Sequence, residues 1–176
     1  AKTDILILMK ERQMNTNNDV KSEALSVMGS GKLFSFDNPQ VEAVDIEDIA
    51  LSLSRIPRWN GHMKHFSEWS VMHHSIMVMH IVKSQAKYES FALEALLHDA
   101  SECYTGDMPG PLKRLVKDAY KPIEHKIEKC IADAFGAVWP WHPCIKEADL
   151  LAQDIEGTPG LDKQFEGISV RRSYVF

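Results

Sequence analysis

The sequence predicts a mostly helical, single-domain protein, because helix-periodic apolar residues recur along its 176 residues and few strand signals appear. Hydrophobic residues make up 44% of the chain, which is enough for a packed core and too many for a disordered chain. We expect one all-α domain over residues 1–176, a compact bundle of five to seven helices. An N-terminal extension is expected at residues 1–27 and an irregular tail at residues 157–176.

Residues 29–43 are expected to form a loop with one short extended piece around residues 33–36. Asp45 is expected to cap the first helix, because its side chain can accept hydrogen bonds from the backbone N–H groups of a helix start. Pro57 ends this helix near residue 56. The following stretch, RWNGHMKHF at residues 58–66, is expected to be a loop with unusual side chains.

The next two helices are predicted to carry ionisable side chains on their inward faces. A helix capped by Ser67 and ending near Lys83 places His74 on an otherwise apolar stripe. In a helix over roughly residues 91–104, the inward positions include three polar groups, His98, Asp99 and Glu102. An unpaired buried carboxylate costs several kcal/mol, so this region requires a cation or many hydrogen bonds.

The C-terminal half is predicted to begin with a turn at residues 105–111. A long helix then follows a basic run, with Pro122 in its first turn and Gly136 as its C-cap. Residues 144–156 are predicted to form a final helix that carries Asp149.

His74, His98, Asp99 and Asp149 form a candidate metal-ligand set contributed by three predicted helices. Two imidazoles and two carboxylates suit Mn²⁺, Fe²⁺, Co²⁺, Ni²⁺ or Zn²⁺. The alternative is that His98 is a core histidine with satisfied hydrogen bonds and Asp99 joins two helices. Glu102 weakens that alternative, because a third buried acid adds repulsion unless a cation is present.

Charge and composition exclude several functional classes. The chain has 20 basic and 25 acidic residues and a formal net charge of -5, which argues against a dedicated nucleic-acid binder. No apolar run approaches the roughly 18 residues of a membrane span. Asp4 and Glu11 interrupt the first apolar stretch, so no secretory signal is expected. Three cysteines without a CxxC pair fit a reducing compartment, so we expect a cytoplasmic protein.

Several motifs occur in an order that resembles the HD-domain phosphohydrolases. HDASECYTGDMPGPLK at residues 98–113 is similar to the signature segment of this family, in particular of the bacterial 5'-deoxynucleotidases. DIEDIALSLSRIPRWNGH followed by SVMHHS, within residues 45–75, resembles small bacterial and phage members that include the phage dATP triphosphohydrolases. IKEADLLA at residues 145–152 resembles the segment that bears the last metal ligand. The resemblance covers roughly residues 28–156.

This resemblance implies one divalent transition metal, Co, Mn, Zn, Fe or Ni, with four ligands, His74, His98, Asp99 and Asp149. It leaves open additional Mg²⁺ or Mn²⁺ ions that accompany the phosphates. His73 competes for the first ligand position, but the histidine of the family directly precedes a serine, as His74 precedes Ser75.

The resemblance also implies roles for five further residues. Glu102 matches the acid that orients or deprotonates the attacking water, and Asp107 matches a second acid near the leaving group. Lys113 is expected to meet phosphate. Arg58 and Trp59 match the pair that lines the sugar and base pocket.

Two other sites are open to alternative interpretations. His62 and His65 could contact phosphate or could be solvated loop histidines. The basic run at residues 113–121, which ends at Lys121, could clamp extra phosphates or form a solvated helix face.

The implied function is metal-dependent hydrolysis of a deoxynucleotide between the 5'-oxygen and the α-phosphorus. The basic run favours a triphosphohydrolase with dATP as its leading substrate. The signature segment favours the alternative, a 5'-deoxynucleotidase that acts on monophosphates. A non-catalytic nucleotide-binding sensor is a third interpretation. Relatives form homo-oligomers, so we expect a homo-oligomer in the cytosol of a bacterium or of a phage-infected host.

Overall fold

The computed structural model describes residues 24–62 and 69–157, and most of these residues are helical. An antiparallel hairpin comes first, with β1 (Leu25–Val27) paired to β2 (Leu33–Ser35). Gly31, at a φ of 84°, supplies the left-handed residue of the connecting turn. The predicted extended piece is therefore confirmed as β2, and its partner strand lies in the stretch assigned to the N-terminal extension.

Seven α-helices follow within the described residues, so the predicted helical bundle is confirmed. They are α1 (Ile46–Leu53), α2 (Val71–Lys83), α3 (Ala92–Leu97), α4 (Glu102–Thr105), α5 (Gly110–Leu115), α6 (Lys117–Phe135) and α7 (Pro143–Gly157). Short 3₁₀ segments lie at Val41–Ala43, Arg58–Gly61 and Ala86–Phe91. In the described part of the chain, no helix has the length and apolar character needed to cross a membrane.

The start of α1 is as predicted, because the Asp45 side chain accepts a hydrogen bond from the Glu47 backbone N–H at 2.9 Å. The start of α2 is different. Ser70 caps this helix in a box with the His73 side chain, so the predicted cap at Ser67 was wrong; Ser67 itself lies outside the described residues. The usual capping box has Glu or Gln at the third helical position, so a box with histidine there does not match the sequence pattern.

The helix predicted over residues 91–104 is two helices, α3 and α4, joined by a tight turn. Ala100 N–H donates to the Leu97 carbonyl at 2.9 Å and Glu102 N–H donates to the Asp99 carbonyl at 3.0 Å. These bonds span three residues, as in 3₁₀ geometry, so they interrupt the regular α-helical ladder. The pair His98–Asp99 therefore lies at a helix junction, not within one continuous helix.

In the C-terminal half, the predicted C-cap is confirmed and the predicted place of the proline is wrong. Gly136 ends α6 with a left-handed φ of 68°. Because α6 begins at Lys117, Pro122 is its sixth residue and lies beyond the first turn. The final helix, α7, matches the predicted helix at residues 144–156 to within one residue at each end.

Helix α2 links two groups of buried apolar residues. Its Met77, Val78 and Val82 pack with residues of α7 such as Ala152. Its Val71 packs instead with a second group that includes Phe34 of the hairpin and Ile127 of α6. His74 lies between these stretches of α2 and is fully buried. The packing of α2 thus brings His74 and Ser75 into the interior, where polar side chains from α3, α4 and α7 also lie.

Candidate functional site

The predicted metal ligands lie close together in the structure. Ligand atoms of His74, His98 and Asp99 all lie within 4.8 Å of one another. One oxygen of Asp99, Oδ2, is 3.6 Å from His74 Nε2 and 3.3 Å from His98 Nε2. The fourth predicted residue, Asp149, places Oδ1 3.1 Å from His74 Nε2. Four side chains from three segments of the chain therefore surround one small volume.

Both imidazole rings direct Nε2 toward this volume. The Nδ1–H of His98 donates to the Ala95 carbonyl at 2.8 Å, which leaves Nε2 as the acceptor. That Nε2 is buried and has no hydrogen-bond partner among the described residues. His74 Nδ1 is 2.7 Å from a carboxylate oxygen of Glu156. Metal-binding histidines are commonly oriented in this way through their second nitrogen, so the residues present fit a divalent cation.

His74, not His73, faces this cluster. The His73 ring Nδ1 lies 2.8 Å from Ser70 Oγ, in the cap of α2, and the ring stacks on Trp69 with 4.9 Å between centroids. The two histidines are adjacent on one helix and point about 100° apart, so only one of them reaches the interior.

The charges in the cluster balance one another. Burial opposes protonation of His74, but its hydrogen bonds with Asp149 and Glu156 outweigh burial and raise its pKa to about 9. Burial favours protonation of Asp149, but its hydrogen bond with His74 and the nearby His98 and Lys146 hold its pKa below the usual range. A divalent cation bound here would replace the His74 proton as the positive charge that offsets the neighbouring carboxylates.

The two predicted catalytic acids lie beside the cluster, in a different environment. Glu102 is buried, and its Oε1 accepts a hydrogen bond from Lys113 Nζ at 3.2 Å. Its other oxygen, Oε2, is buried without a hydrogen-bond partner in the part of the chain that the structure describes. Burial and the charges of Asp99 and Asp107 raise the pKa of Glu102 well above its usual value. Burial likewise raises the pKa of Asp107, with Arg58 acting against the rise.

Arg58 is buried between the cluster of predicted metal ligands and the two predicted catalytic acids. Its Nη1 lies 3.5 Å from Asp107 Oδ2 and 3.7 Å from Asp99 Oδ2, and its Nη2 lies 3.5 Å from Glu156 Oε2. Arginine can face several carboxylates at once because its planar guanidinium carries five N–H donors. The guanidinium therefore connects the cluster of predicted metal ligands to the two predicted catalytic acids.

The neighbouring Trp59 is exposed and has an unusual backbone conformation. Its φ is 55° and that of Asn60 is 51°, both in the left-handed region that costs a non-glycine residue of order 1–3 kcal/mol. The side chain is 47% exposed, yet its Nε1–H donates to Glu156 Oε2 at 3.0 Å. The indole is thus held by its polar edge and leaves ring surface accessible to a ligand.

The remaining predicted substrate residues are placed differently from one another. Lys113 Nζ lies between Glu102 and Glu124, at 3.2 Å and 3.0 Å, and is part of the site. Burial opposes its charge, but these two acids raise the pKa of the lysine. Lys121 on α6 and His62 after the 3₁₀ segment are both exposed. Their contact with phosphate stays a prediction, and His65 lies outside the described residues.

Glu156 is the functional candidate that the sequence analysis missed. It lies on α7 seven residues after Asp149, which is two helical turns, so the two acids share one face. A buried acid on the inward stripe of α7 was the signal available in the sequence. The predicted motif segment ended at residue 152, so this signal was not used.

Comparisons with known proteins give a consistent result. The family model for YfbR-like 5'-deoxynucleotidases matches residues 48–137. The chain is 42% identical over 122 residues to the uncharacterized protein YfdR of Escherichia coli strain K12, covering 69% of this chain and 64% of YfdR. It is 33% identical over 135 residues to an uncharacterized protein of Rhodobacter capsulatus, covering 73% and 69%. It is 29% identical over 139 residues to a 5'-deoxynucleotidase of Enterobacter sp. strain 638, covering 66% and 69%. The chain thus spans slightly less than two thirds of the length of YfdR.

Proposed function

Because the chain belongs to the YfbR-like 5'-deoxynucleotidase family of HD-domain proteins, we propose that it hydrolyses deoxynucleoside 5'-monophosphates. The products would be a deoxynucleoside and inorganic phosphate. The observation that carries this proposal is the position of a buried acid with a raised pKa, Glu102, beside the cluster of His74, His98 and Asp99. All four residues fall within the segment that matches the family model.

The monophosphate reaction is better supported than the triphosphate reaction that the basic run favoured. The matched family model and the Enterobacter relative are both described as 5'-deoxynucleotidases. Lys113, the first residue of the basic run, lies between Glu102 and Glu124, which offset its charge, and its contact with phosphate stays a prediction. Lys121 is exposed, which also fits the solvated helix face.

The proposed chemistry needs an activated water and a protonated leaving group. A divalent ion held by the two imidazoles and the carboxylates of Asp99 and Asp149 would neutralise phosphate oxygens and lower the pKa of water. Glu102 would accept the proton of the attacking water, because its buried Oε2 has no competing partner among the described residues. Asp107 would donate a proton to the departing 5'-oxygen, since burial favours its protonated form.

Arg58 and Trp59 would recognise the substrate. The guanidinium of Arg58 lies between the metal-ligand cluster and Asp107, where it can meet the oxygens of the phosphate or the sugar. The open ring surface of Trp59 can stack on a base, an interaction worth about 1–3 kcal/mol. Both residues contact the same oxygen, Oε2, of one buried carboxylate, Glu156, which supports a shared role.

Product analysis tests the proposal. The protein, loaded with Co²⁺ or Mn²⁺, would be incubated separately with the deoxy- and ribonucleoside monophosphates and triphosphates. We expect release of deoxynucleoside and orthophosphate from the deoxynucleoside monophosphates. Release of intact triphosphate would instead establish the triphosphohydrolase. Nucleotide that is bound but left intact with fresh metal would point to the sensor and would contradict the proposal.

The same preparation tests the expected assembly. We propose a homo-oligomer with no nucleic-acid or membrane partner, and light scattering on the metal-loaded protein would measure its mass. A mass equal to the 20.0 kDa of one chain would contradict this part of the proposal.

A further inference from the structure

One buried carboxylate contacts both the metal-ligand cluster and the proposed nucleotide pocket. The Glu156 side chain is fully buried in the last turn of α7. Each of its oxygens faces two nitrogen atoms. Oε1 lies 2.7 Å from His74 Nδ1 and accepts from Trp69 Nε1 at 2.9 Å. Oε2 accepts from Trp59 Nε1 at 3.0 Å and lies 3.5 Å from Arg58 Nη2.

All four partners can act as donors, so this position requires an ionised carboxylate. A carboxylate accepts hydrogen bonds on both oxygens, whereas an amide offers one accepting oxygen and one donating NH₂ group. The four contacts of Glu156 are therefore those of an ionised carboxylate that accepts on both oxygens.

The Oε1 contact determines which nitrogen of His74 is available to a metal. Donation from Nδ1–H to Glu156 leaves Nε2 as the lone-pair nitrogen of the neutral ring. That Nε2 faces Asp99 Oδ2 at 3.6 Å and Asp149 Oδ1 at 3.1 Å. Glu156 therefore holds the tautomer and the ring orientation that coordination through Nε2 requires.

The Oε2 contact, together with Trp69, holds the 3₁₀ segment Arg58–Gly61, which carries Arg58 and Trp59. Arg58 N–H donates to the Trp69 carbonyl at 3.0 Å, and Pro57 pairs with Ser70. The indoles of Trp59 and Trp69 both donate to Glu156. The left-handed backbone at Trp59 is a conformation that needs such external support.

We propose that Glu156 is a positioning residue that couples the metal centre to the nucleotide pocket. It orients His74 through one oxygen and the Arg58–Trp59 pair through the other. Its removal would therefore weaken metal binding and substrate binding together. The nucleotide half of this inference rests on the proposed function, whereas the metal half does not.

The test compares Glu156→Gln with Glu147→Gln, which changes an exposed acid on the same helix. Calorimetric titration with Co²⁺, without nucleotide, should show affinity about 10- to 100-fold weaker in Glu156→Gln and unchanged in the control. The ¹⁵N shifts of His74 in the metal-free proteins at a pH above its pKa should show loss of the Nδ1–H tautomer only in Glu156→Gln. With deoxynucleotide, KM should rise in Glu156→Gln even at saturating Co²⁺.

A second variant, Trp59→Phe, tests the contact of Glu156 Oε2 separately from that of Oε1. It keeps an aromatic ring but removes the hydrogen bond to Oε2 together with part of the stacking surface, so KM should rise while Co²⁺ affinity stays at the wild-type value. Circular dichroism would establish that each variant is folded, and Glu156→Asp would replace Glu156→Gln if the latter is not.

A folded Glu156 variant with wild-type Co²⁺ affinity and His74 tautomer would overturn this inference, even if the wild-type enzyme is active. Equal losses of Co²⁺ affinity in Glu156→Gln and Glu147→Gln would overturn it as well. A wild-type protein that hydrolyses no nucleotide would instead refute the proposed function and leave the metal measurements valid.

Discussion

Acids on two sides of one site have opposite properties. On the side of His74, the carboxyls of Asp99, Asp149 and Glu156 have pKa values below their usual range. On the side of Lys113, the carboxyls of Glu102 and Asp107 have pKa values above it. Burial favours the protonated form of all five, so it does not explain the difference.

The difference lies in the histidine partners: the three acids with lowered pKa values each face an imidazole ring, whereas Glu102 faces a lysine and Asp107 an arginine. Asp149 and Glu156 share the His74 ring, and Asp99 lies within 3.7 Å of two imidazoles and a guanidinium. Glu102, in contrast, has one oxygen on Lys113 and one buried oxygen without a partner in the described part of the chain. Acids that remain anionic suit a cation site, and acids that retain a proton suit proton transfer. The predictions below test this division, beginning with the largest expected effect.

Asp99→Ala removes the anion of the His74 group that faces both imidazoles of the cluster. Its Oδ2 lies near both Nε2 atoms and Arg58, so we expect activity to fall below detection while the helical content remains. Phosphate release and far-ultraviolet circular dichroism measure the two properties. Turnover retained in a folded, metal-loaded variant would show that Asp99 does not belong to the metal site.

Glu102→Gln changes the other group and should lower kcat by about 10²- to 10⁴-fold, the usual contribution of a general acid or base. The base form of Glu102 is populated only above its raised pKa. The wild-type rate should therefore fall as the pH drops through that value, and this acidic limb should be absent in the variant. A pH–rate profile of both proteins measures this. An unchanged acidic limb would assign it to another group.

Trp59→Ala tests whether the exposed ring beside Glu156 contacts the base. Loss of a stacking contact of about 1–3 kcal/mol should raise KM by roughly 5- to 150-fold and leave kcat nearly unchanged. Steady-state kinetics on several deoxynucleoside monophosphates would also show reduced discrimination among bases. Unchanged KM values and base preference would remove Trp59 from the pocket.

Glu128→Gln extends the comparison to a partly buried acid on α6 that has no role in the proposed reaction. Burial and the charge of Glu124 raise the pKa of Glu128 to about 7 in the folded protein. Because this value exceeds the unfolded value, its contribution to stability is present at low pH and is lost as the pH rises through about 7.

The variant is neutral at every pH and can still accept from Trp139 Nε1, which lies 3.3 Å from Glu128 Oε2. We expect it to be more stable than the wild type at pH 8 by about 1–3 kcal/mol and nearly equal at pH 4, below the unfolded pKa of a glutamate. Denaturant unfolding at the two pH values measures this difference, with Glu147→Gln as the control. Parallel pH dependences in the two variants would contradict it.

The sequence predicted the helical fold and which polar residues face inward, because both depend on helical periodicity. His74, His98 and Glu102 are buried as their positions on apolar stripes indicated. The turn between α3 and α4 was not predictable in the same way, since its hydrogen bonds arise among residues that are all compatible with a continuous helix. The cap at Ser70 depends on a histidine ring that no simple cap pattern includes.

The contacts that determine the two groups of acids were less predictable still. Glu156 contacts Trp59 and His74, which lie 97 and 82 residues away from it along the chain. Lys113 is 11 residues from each of its two acids. Sequence spacing identifies residues on one helix face, whereas the pairing of side chains across helices depends on tertiary packing.

Calorimetric titration of Co²⁺ into Asp149→Asn and Glu102→Gln, measured side by side, tests the division of the acids most directly. Asp149 Oδ1 lies 3.1 Å from His74 Nε2, whereas Glu102 is held by Lys113. We predict strongly weakened Co²⁺ binding in Asp149→Asn and wild-type binding in Glu102→Gln. Similar losses of affinity in both variants, or a loss only in Glu102→Gln, would contradict the account.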